Sequence, residues 1–162
     1  MSNKNPAWWQ GSKGEWYVVV QFILFALIAF YSPDIGLSSW ARKLSFLYYP
    51  GLLTTLFASV IVLLGLIHLG RNLSVFPHPK DDAQLVETGV YGLIRHPIYG
   101  GLILLVTGYG LMTVNAILLI YGLLLFVFFE FKTKREERYL CQKFPRYEAY
   151  QARVKKLIPF IY

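Results

Sequence analysis

Two short segments of the sequence combine side chains that could bind a small polar ligand. The first is Arg95-His96-Pro97-Ile98-Tyr99, and the second is the pair Glu136-Glu137. Together with Tyr91 they offer a guanidinium, an imidazole, two phenols and two carboxylates. Such a set suits a zwitterionic ligand with hydroxyl groups, because each charge and each hydroxyl finds a complementary partner. The sequence therefore predicts a binding pocket, provided that the fold brings the two segments together.

The proline of the first segment indicates where a helix begins. A residue before proline avoids the right-handed helical region, so we expect His96 in extended backbone, and Pro97 is favoured at the first helical position. The free N–H groups and dipole of a helix start favour an anion. Simpler interpretations stay open: Arg95 and Tyr91 as interfacial anchors, His96 as a capping residue, and the glutamates as a solvated helix face.

Other chemistries find little support in the motifs. The three histidines His68, His78 and His96 are widely spaced and lack a cysteine partner, so no metal site is expected. Gly108-Tyr109-Gly110 lies inside an apolar stretch and is not a dinucleotide-binding turn, and no serine has a G-x-S-x-G context. The single cysteine, Cys141, cannot form an internal disulfide, and we expect it to be structural.

Composition indicates the environment of these segments. Hydrophobic residues make up 56% of the 162 residues and charged residues 15%, whereas soluble domains have about 45–50% and about 25%. We therefore expect an all-α integral membrane protein with a single domain over residues 1–162. The net charge of +7 could indicate nucleic acid, but the distribution of the charge favours a cytoplasmic membrane face, so no nucleic-acid partner is expected.

The apolar runs predict four transmembrane helices and an amphipathic cytoplasmic helical tail. The spans cover about residues 16–32, 46–70, 97–112 and 115–131. Thr113-Val114-Asn115 divides the last apolar run, which is too long for one span of about 17–25 residues, and Asn115 can cap the fourth helix. The tail, 132–162, continues that helix into water until Pro145, and a short helix follows at about 147–156. Four glycines of the third span should chiefly permit close helix packing: Gly100, Gly101, Gly108 and Gly110.

Charge asymmetry predicts the orientation in the membrane. With four spans, fourteen of the sixteen Lys and Arg residues lie on the side of both termini, including Lys4 and Lys13, whereas Arg42 and Lys43 lie on the other. Basic residues accumulate on the cytoplasmic side, so we expect a multi-pass protein with both termini in the cytoplasm. Because a tight hairpin joins the far ends of the last two spans, Tyr99 and the glutamates should meet on the cytoplasmic face.

The motifs on the two sides of this hairpin also carry a family resemblance. They read Gly89-x-Tyr91, Arg95-His96-Pro97-x-Tyr99-x-Gly101, Glu136-Glu137-x-x-Leu140, Phe144, Tyr147, Tyr150, Val154 and Leu157-Ile158-Pro159. This pattern, from about Leu85 to Phe160, resembles the isoprenylcysteine carboxyl methyltransferase family, whose superfamily includes the phospholipid N-methyltransferases. Upstream, Gly70-Arg71-Asn72-Leu73 and Pro77-x-Pro79 are similar to bacterial members.

The resemblance implies an integral membrane enzyme that uses S-adenosyl-L-methionine and takes a lipophilic or lipidated acceptor from the bilayer lipid. It implies that the cofactor carboxylate lies near the Pro97 helix start, that Glu136 or Glu137 holds the ribose, and that apolar walls contact the adenine. The cofactor-binding residues expected on this basis are Tyr91, Leu93, Ile94, His96, Pro97, Tyr99, Gly101, Glu136 and Glu137. Arg95 is the expected catalytic residue, because it could orient an acceptor carboxylate bidentately.

Three classes of function stay open on the sequence. The first is methyl transfer, preferably to the carboxyl group of an isoprenylcysteine-like or other lipophilic acceptor, with N-methylation of a phospholipid or amine as the alternative. A carboxylate is already a nucleophile at neutral pH, whereas an ammonium must first lose a proton. The second is a sterol-reductase-like membrane enzyme using NADPH, which the glutamate pair disfavours. The third is a membrane scaffold without catalysis.

Overall fold

Five α-helices form most of the regular structure of the computed structural model, which describes residues 14–33, 43–158 and 162. The helices are α1 Glu15–Phe30, α2 Tyr48–Leu69, α3 Pro97–Met112, α4 Ala116–Lys143 and α5 Tyr147–Arg153. Three 3-10 turns flank α2 and precede α3, at Ser45–Leu47, Gly70–Asn72 and Gly89–Gly92. The basic residues Lys4, Lys13 and Arg42 of the predicted topology lie outside the described residues.

The predicted all-α class is confirmed for the described residues, and two segments are long and apolar enough to cross a membrane. These are Ser45–Asn72 and Ala116–Lys143. α1 and α3 are apolar but have 16 residues each, which is about 24 Å of helix against a hydrocarbon core of about 30 Å. Large apolar side chains on the outer surfaces of α1 and α2 are exposed, as lipid contact requires: Phe22, Ile23, Leu53, Phe57 and Leu63.

The close packing of α3 depends on its glycines. A Cβ atom at Gly108 would lie 2.8 Å from the backbone nitrogen of Thr55 on α2, and one at Gly101 would lie 3.3 Å from the carbonyl oxygen of Ala58. Gly110 faces α4 in the same way. Small residues let helix backbones approach closely in membrane proteins. The predicted packing role is therefore confirmed for these three glycines.

The turn between α3 and α4 forms at the predicted polar break. The side-chain oxygen of Asn115 accepts hydrogen bonds from the backbone N–H groups of Ile117 and Leu118 at 3.0 and 3.2 Å, so it caps α4 as expected. Val114 has a φ of 51°, a left-handed conformation that is uncommon for a β-branched residue. The Asn115 amide also donates to the carbonyl oxygen of Ser32 at 3.1 Å and so links the turn to the end of α1.

α4 continues beyond the predicted span to Lys143, but one face of its second half is buried. Lys132 and Thr133 are 1% and 0% exposed, and Glu137 is also buried. The expectation that the chain enters water from residue 132 onward is therefore wrong at these positions. The physical reason is that α1 and the segment before α3 cover Lys132 through Gln21 and Val75. The chain after α4, which is called the tail below, folds back over Glu137 through Gln151.

The segment after α5 returns to the start of α3. Ile94 and Lys155 form a parallel β-bridge, and the carbonyl oxygen of Leu157 occupies the space that a Cβ atom at Gly100 would need. Gly100 therefore contacts the tail, whereas the sequence predicted helix packing there. α5 ends at Arg153, earlier than predicted, because the chain must become extended to form this bridge.

Candidate functional site

Glu137 lies at the centre of a hydrogen-bonded cluster that joins α3, α4 and the tail. One carboxylate oxygen accepts from Arg95 Nε at 2.9 Å and lies 3.0 Å from His96 Nε2. The other oxygen accepts from the side-chain amide of Gln151 at 3.0 Å. Because both oxygens are used and the side chain is only 12% exposed, Glu137 is held by protein partners.

Arg95 connects this cluster to the end of α5. Arg95 Nε donates to Glu137, and Arg95 Nη1 donates to the backbone carbonyl oxygens of Gln151 and Val154. Such charge-assisted bonds are about twice as strong as neutral ones. The role predicted for Arg95, orientation of an acceptor carboxylate, would therefore have to coexist with its role in holding the tail.

Three stacked rings, those of His96, Tyr99 and Phe129, direct the Tyr99 hydroxyl towards Glu136. His96 and Tyr99 stack with centroids 5.6 Å apart, and Tyr99 and Phe129 stack at 4.5 Å. The Tyr99 hydroxyl then donates to Glu136 Oε2 at 3.0 Å. As predicted, His96 precedes the helix and Pro97 opens it, and this local geometry directs the Tyr99 ring towards α4.

A cavity opens beside Tyr99 and Glu136, beneath the polar segment 72–86. Its wall combines aromatic rings with two cations and a carboxylate, among them Phe76, Tyr91, Tyr99, Tyr147, Tyr150, Arg95, Lys132 and Glu136. Burial raises the pKa of Tyr91, Tyr147 and Tyr150 well above the ordinary value of a phenol, so these hydroxyls stay protonated. The Tyr150 hydroxyl donates to the carbonyl oxygen of Tyr91 at 2.6 Å.

Segment 72–86 is closed on itself and its middle is fixed to the end of α4. The side-chain oxygen of Asn72 accepts from the backbone N–H of Gln84 at 2.9 Å, and this bond closes the segment on itself. Lys143, at the end of α4, donates to the carbonyl oxygens of Lys80 and Asp81. These bonds hold the segment over the cavity.

The structure brings only some of the predicted site residues to the cavity wall. Those that line it are Tyr91, Arg95, His96, Tyr99 and Glu136, with Glu137 directly behind His96. Leu93 is 53% exposed and Ile94 is buried, and both lie outside the wall. Pro97 is buried at the helix start, and Gly101 faces α2.

Sequence reasoning did not assign Gln21, Lys132 and Gln151 to the site. Gln21 is the one polar residue in an otherwise apolar run, and such residues often mark packing or function in a membrane. The sequence predicts Lys132 as a solvated basic residue of the tail, because nothing local indicates that it is buried. Within the part of the chain that the structure describes, no group of three His, Cys, Asp or Glu side chains could hold a metal ion.

Comparison with known proteins identifies related chains. A model of the isoprenylcysteine carboxyl methyltransferase (ICMT) family matches residues 51–142, more than half of the chain. The probable protein-S-isoprenylcysteine O-methyltransferase of Oryza sativa subsp. indica is 34% identical over 120 residues, which cover 72% of this chain and 63% of the rice protein. The protein-S-isoprenylcysteine O-methyltransferase of Schizosaccharomyces pombe is 29% identical over an alignment 167 residues long, which covers 92% of this chain and 68% of the yeast protein.

A further relative has a different name. The cobalt-zinc-cadmium resistance protein CzcN of Cupriavidus metallidurans is 29% identical over 147 residues, which cover 90% of this chain and 62% of that protein. The chain thus spans between 62% and 68% of the length of these three relatives. The family match includes both the segment around Tyr99 and the glutamate pair.

Proposed function

The chain belongs to the isoprenylcysteine carboxyl methyltransferase family, and from this premise we propose that it is a membrane methyltransferase that uses S-adenosyl-L-methionine. The observation that carries the proposal is the cavity beside Tyr99 and Glu136. Residues from both motifs line it, although the two motifs are far apart in the sequence. We propose a single domain with four spans, with the cavity and both termini on the cytoplasmic side.

The side chains around the cavity fit this cofactor. Aromatic faces such as those of Phe76, Tyr99 and Tyr147 suit both an adenine ring and a sulfonium, since cations bind over aromatic rings. The Glu136 carboxylate can accept hydrogen bonds from hydroxyl or ammonium groups. When bound, the cofactor supplies a methyl group that is activated by its positively charged sulfur.

The contribution of the chain is to position two reactants and to exclude water. Methyl transfer is an in-line displacement, which depends on alignment and a dry site more than on an acid or base. Segment 72–86 and the tail cover the cavity, and the bonds of Arg95 to Glu137, Gln151 and Val154 hold the tail there. The cluster around Glu137 thus supports the wall against which the reactants bind.

For the acceptor we propose the carboxylate of an isoprenylcysteine-like molecule. Several relatives, including the one from Schizosaccharomyces pombe, are named protein-S-isoprenylcysteine O-methyltransferase, and a carboxylate needs no general base to act as a nucleophile. Exposed apolar side chains on α1 and α2 are compatible with entry of a lipid chain from the bilayer. Arg95, which also lines the cavity, is the group that we propose orients this carboxylate.

An acceptor comparison with purified protein in lipid nanodiscs tests the proposal. With S-adenosylmethionine radiolabelled on its methyl group, we expect label to be transferred to N-acetyl-S-farnesylcysteine as a methyl ester that base hydrolyses. We expect no transfer to the methyl ester of N-acetyl-S-farnesylcysteine, in which the carboxylate is blocked. Transfer to phosphatidylethanolamine instead would contradict the carboxyl acceptor, and failure to bind the cofactor would contradict methyl transfer itself.

A further inference from the structure

Resting on the proposed function, we propose that Lys132 and Glu136 together bind the α-amino-acid end of the methyl donor. In this arrangement Lys132 binds the carboxylate of the donor and Glu136 binds its ammonium. The two residues are one helical turn apart on α4, so their side chains lie on the same face. Both line the cavity.

Lys132 has the chemistry of a carboxylate-binding residue. Lys132 is 1% exposed, and its ammonium donates to the side-chain oxygen of Gln21 and to the carbonyl oxygen of Val75. The ammonium also lies 5.0 Å from the ring centroid of Tyr99. These three partners are neutral. A buried cation held by neutral partners favours an anion in the adjacent cavity, because desolvation of the charge is otherwise poorly compensated.

Two other groups that could bind the donor carboxylate, the start of α3 and Arg95, are engaged elsewhere. The start of α3 at Pro97 is covered by the tail, where the N–H of His96 donates to the carbonyl oxygen of Lys156 at 3.0 Å. Arg95 donates through Nε to Glu137 and through Nη1 to two carbonyl oxygens of the tail, and the proposed function assigns its remaining donors to the carboxylate of the acceptor. Lys132 is the cavity cation whose direct hydrogen-bond partners are all neutral, and Glu136, one turn away, supplies an opposing charge.

Glu136 complements Lys132 on the ammonium side. The Tyr99 hydroxyl donates to Glu136 Oε2, and this bond fixes the carboxylate while Oε1 can accept from a ligand. Glu137, by contrast, uses both oxygens within the protein. A cation and a carboxylate one turn apart therefore match the opposite charges of an α-amino acid.

Two donor probes that differ only in the carboxylate test the assignment. Calorimetry on the purified protein compares S-adenosylmethionine with decarboxylated S-adenosylmethionine. We expect the parent protein to prefer the carboxylated probe on the order of tenfold or more, since bonds between charged groups are strong. The variant Lys132→Met should lose this preference by binding the carboxylated probe on the order of 10- to 100-fold more weakly, with little change for the decarboxylated probe.

Matched variants separate this role from a structural one. Lys134→Met, an exposed position on the same helix, should keep the preference of the parent protein, and Lys132→Arg should largely restore it. Equal affinities of the parent for both probes would overturn the assignment without any variant. Equal weakening of both probes in Lys132→Met would assign Lys132 a structural role instead. A parent protein that binds neither probe would contradict the proposed function and this assignment with it.

Discussion

Two adjacent carboxylates on α4 have different surroundings and therefore different tasks. Glu137 accepts hydrogen bonds from two distant segments of the chain, through Arg95 and Gln151, and is nearly buried. Glu136 faces the cavity and receives one hydrogen bond, from Tyr99. Sequence reasoning placed both glutamates with His96 and Tyr99 around one cofactor molecule. The contacts instead favour Glu137 as a support for the tail and Glu136 as the ligand-binding group.

Replacement of each glutamate by glutamine should separate these tasks. Glu137→Gln removes a charge that Arg95 needs, so we expect a loss of about 2–4 kcal/mol of stability, seen as a lower Tm in detergent. Glu136→Gln should leave the Tm nearly unchanged and weaken cofactor binding on the order of tenfold. Glu148→Gln, at an exposed position of α5, is the control. A Tm unchanged by Glu137→Gln would contradict the supporting role.

Cys141 packs in the core of the tail and has no geometry for covalent catalysis. Its thiol lies 3.6 Å from the side-chain oxygen of Gln151, and its neighbours include Tyr147 and Tyr150. We expect Cys141→Ala to cost about 1 kcal/mol of stability and to retain most methyl transfer at saturating substrate. Complete loss of activity in a folded variant would reveal a chemical role that the structure does not indicate.

At the scale of helices, the contact between α2 and α3 is the rigid base of the site. The Gly108 face of α3 touches the α2 backbone, whereas the adjacent Tyr109 side chain is 47% exposed. Because α3 begins at the His96–Tyr99 segment, any displacement of α3 would move the cavity wall. The position of the site therefore depends on residues that do not contact a ligand.

The same side chain introduced on the two faces of α3 should have opposite effects. Gly108→Leu places a branched side chain against the backbone of Thr55, which cannot move without separating the helices. We expect a loss of about 3 kcal/mol or more and little monodisperse protein in detergent. The side chain at position 109 points outward, so Tyr109→Leu should unfold at the same temperature as the parent. Similar thermal unfolding of both variants would mean that the interface is looser than the structure shows.

Helices and their turns could be predicted from the sequence because their signals are local. The proline at 97 and the asparagine at 115 define the start of α3 and of α4, and α3 has the predicted bounds. The burial of Lys132 could not be predicted, since it depends on Gln21 and Val75, which are 111 and 57 residues away in sequence. The contact of the tail with the start of α3 could not be predicted from the sequence for the same reason.

For the whole molecule, charge and exposed apolar surface support a protein that crosses the membrane several times. The polar segment 72–86 and the tail lie on the same end of the helices as the cavity. The hairpin turn at Val114 joins the opposite ends of α3 and α4. The basic residues of this polar end are among the fourteen that the topology prediction assigns to the cytoplasmic side of the membrane.

Reporter fusions can check this arrangement in cells. A reporter at Thr113 and one after Tyr162 should fall on opposite sides of the membrane, because α4 separates the hairpin turn from the tail. A reporter at Asp82, which is exposed in segment 72–86, should share the side of Tyr162. If the reporters at Thr113 and Tyr162 lie on the same side, α4 does not cross the bilayer and the proposed topology is wrong.

The long-range bonds of Arg95 also have a consequence for biosynthesis. Its partners Glu137, Gln151 and Val154 follow 42, 56 and 59 residues later in the chain. At a synthesis rate of about 5–20 residues per second, the ribosome adds the last of them about 3–12 s after Arg95. During that interval the nascent chain carries an unpaired guanidinium at the start of α3, which water or lipid headgroups must solvate. The complete cavity wall, which includes Tyr147 and Tyr150, can therefore form only after the tail has been synthesised.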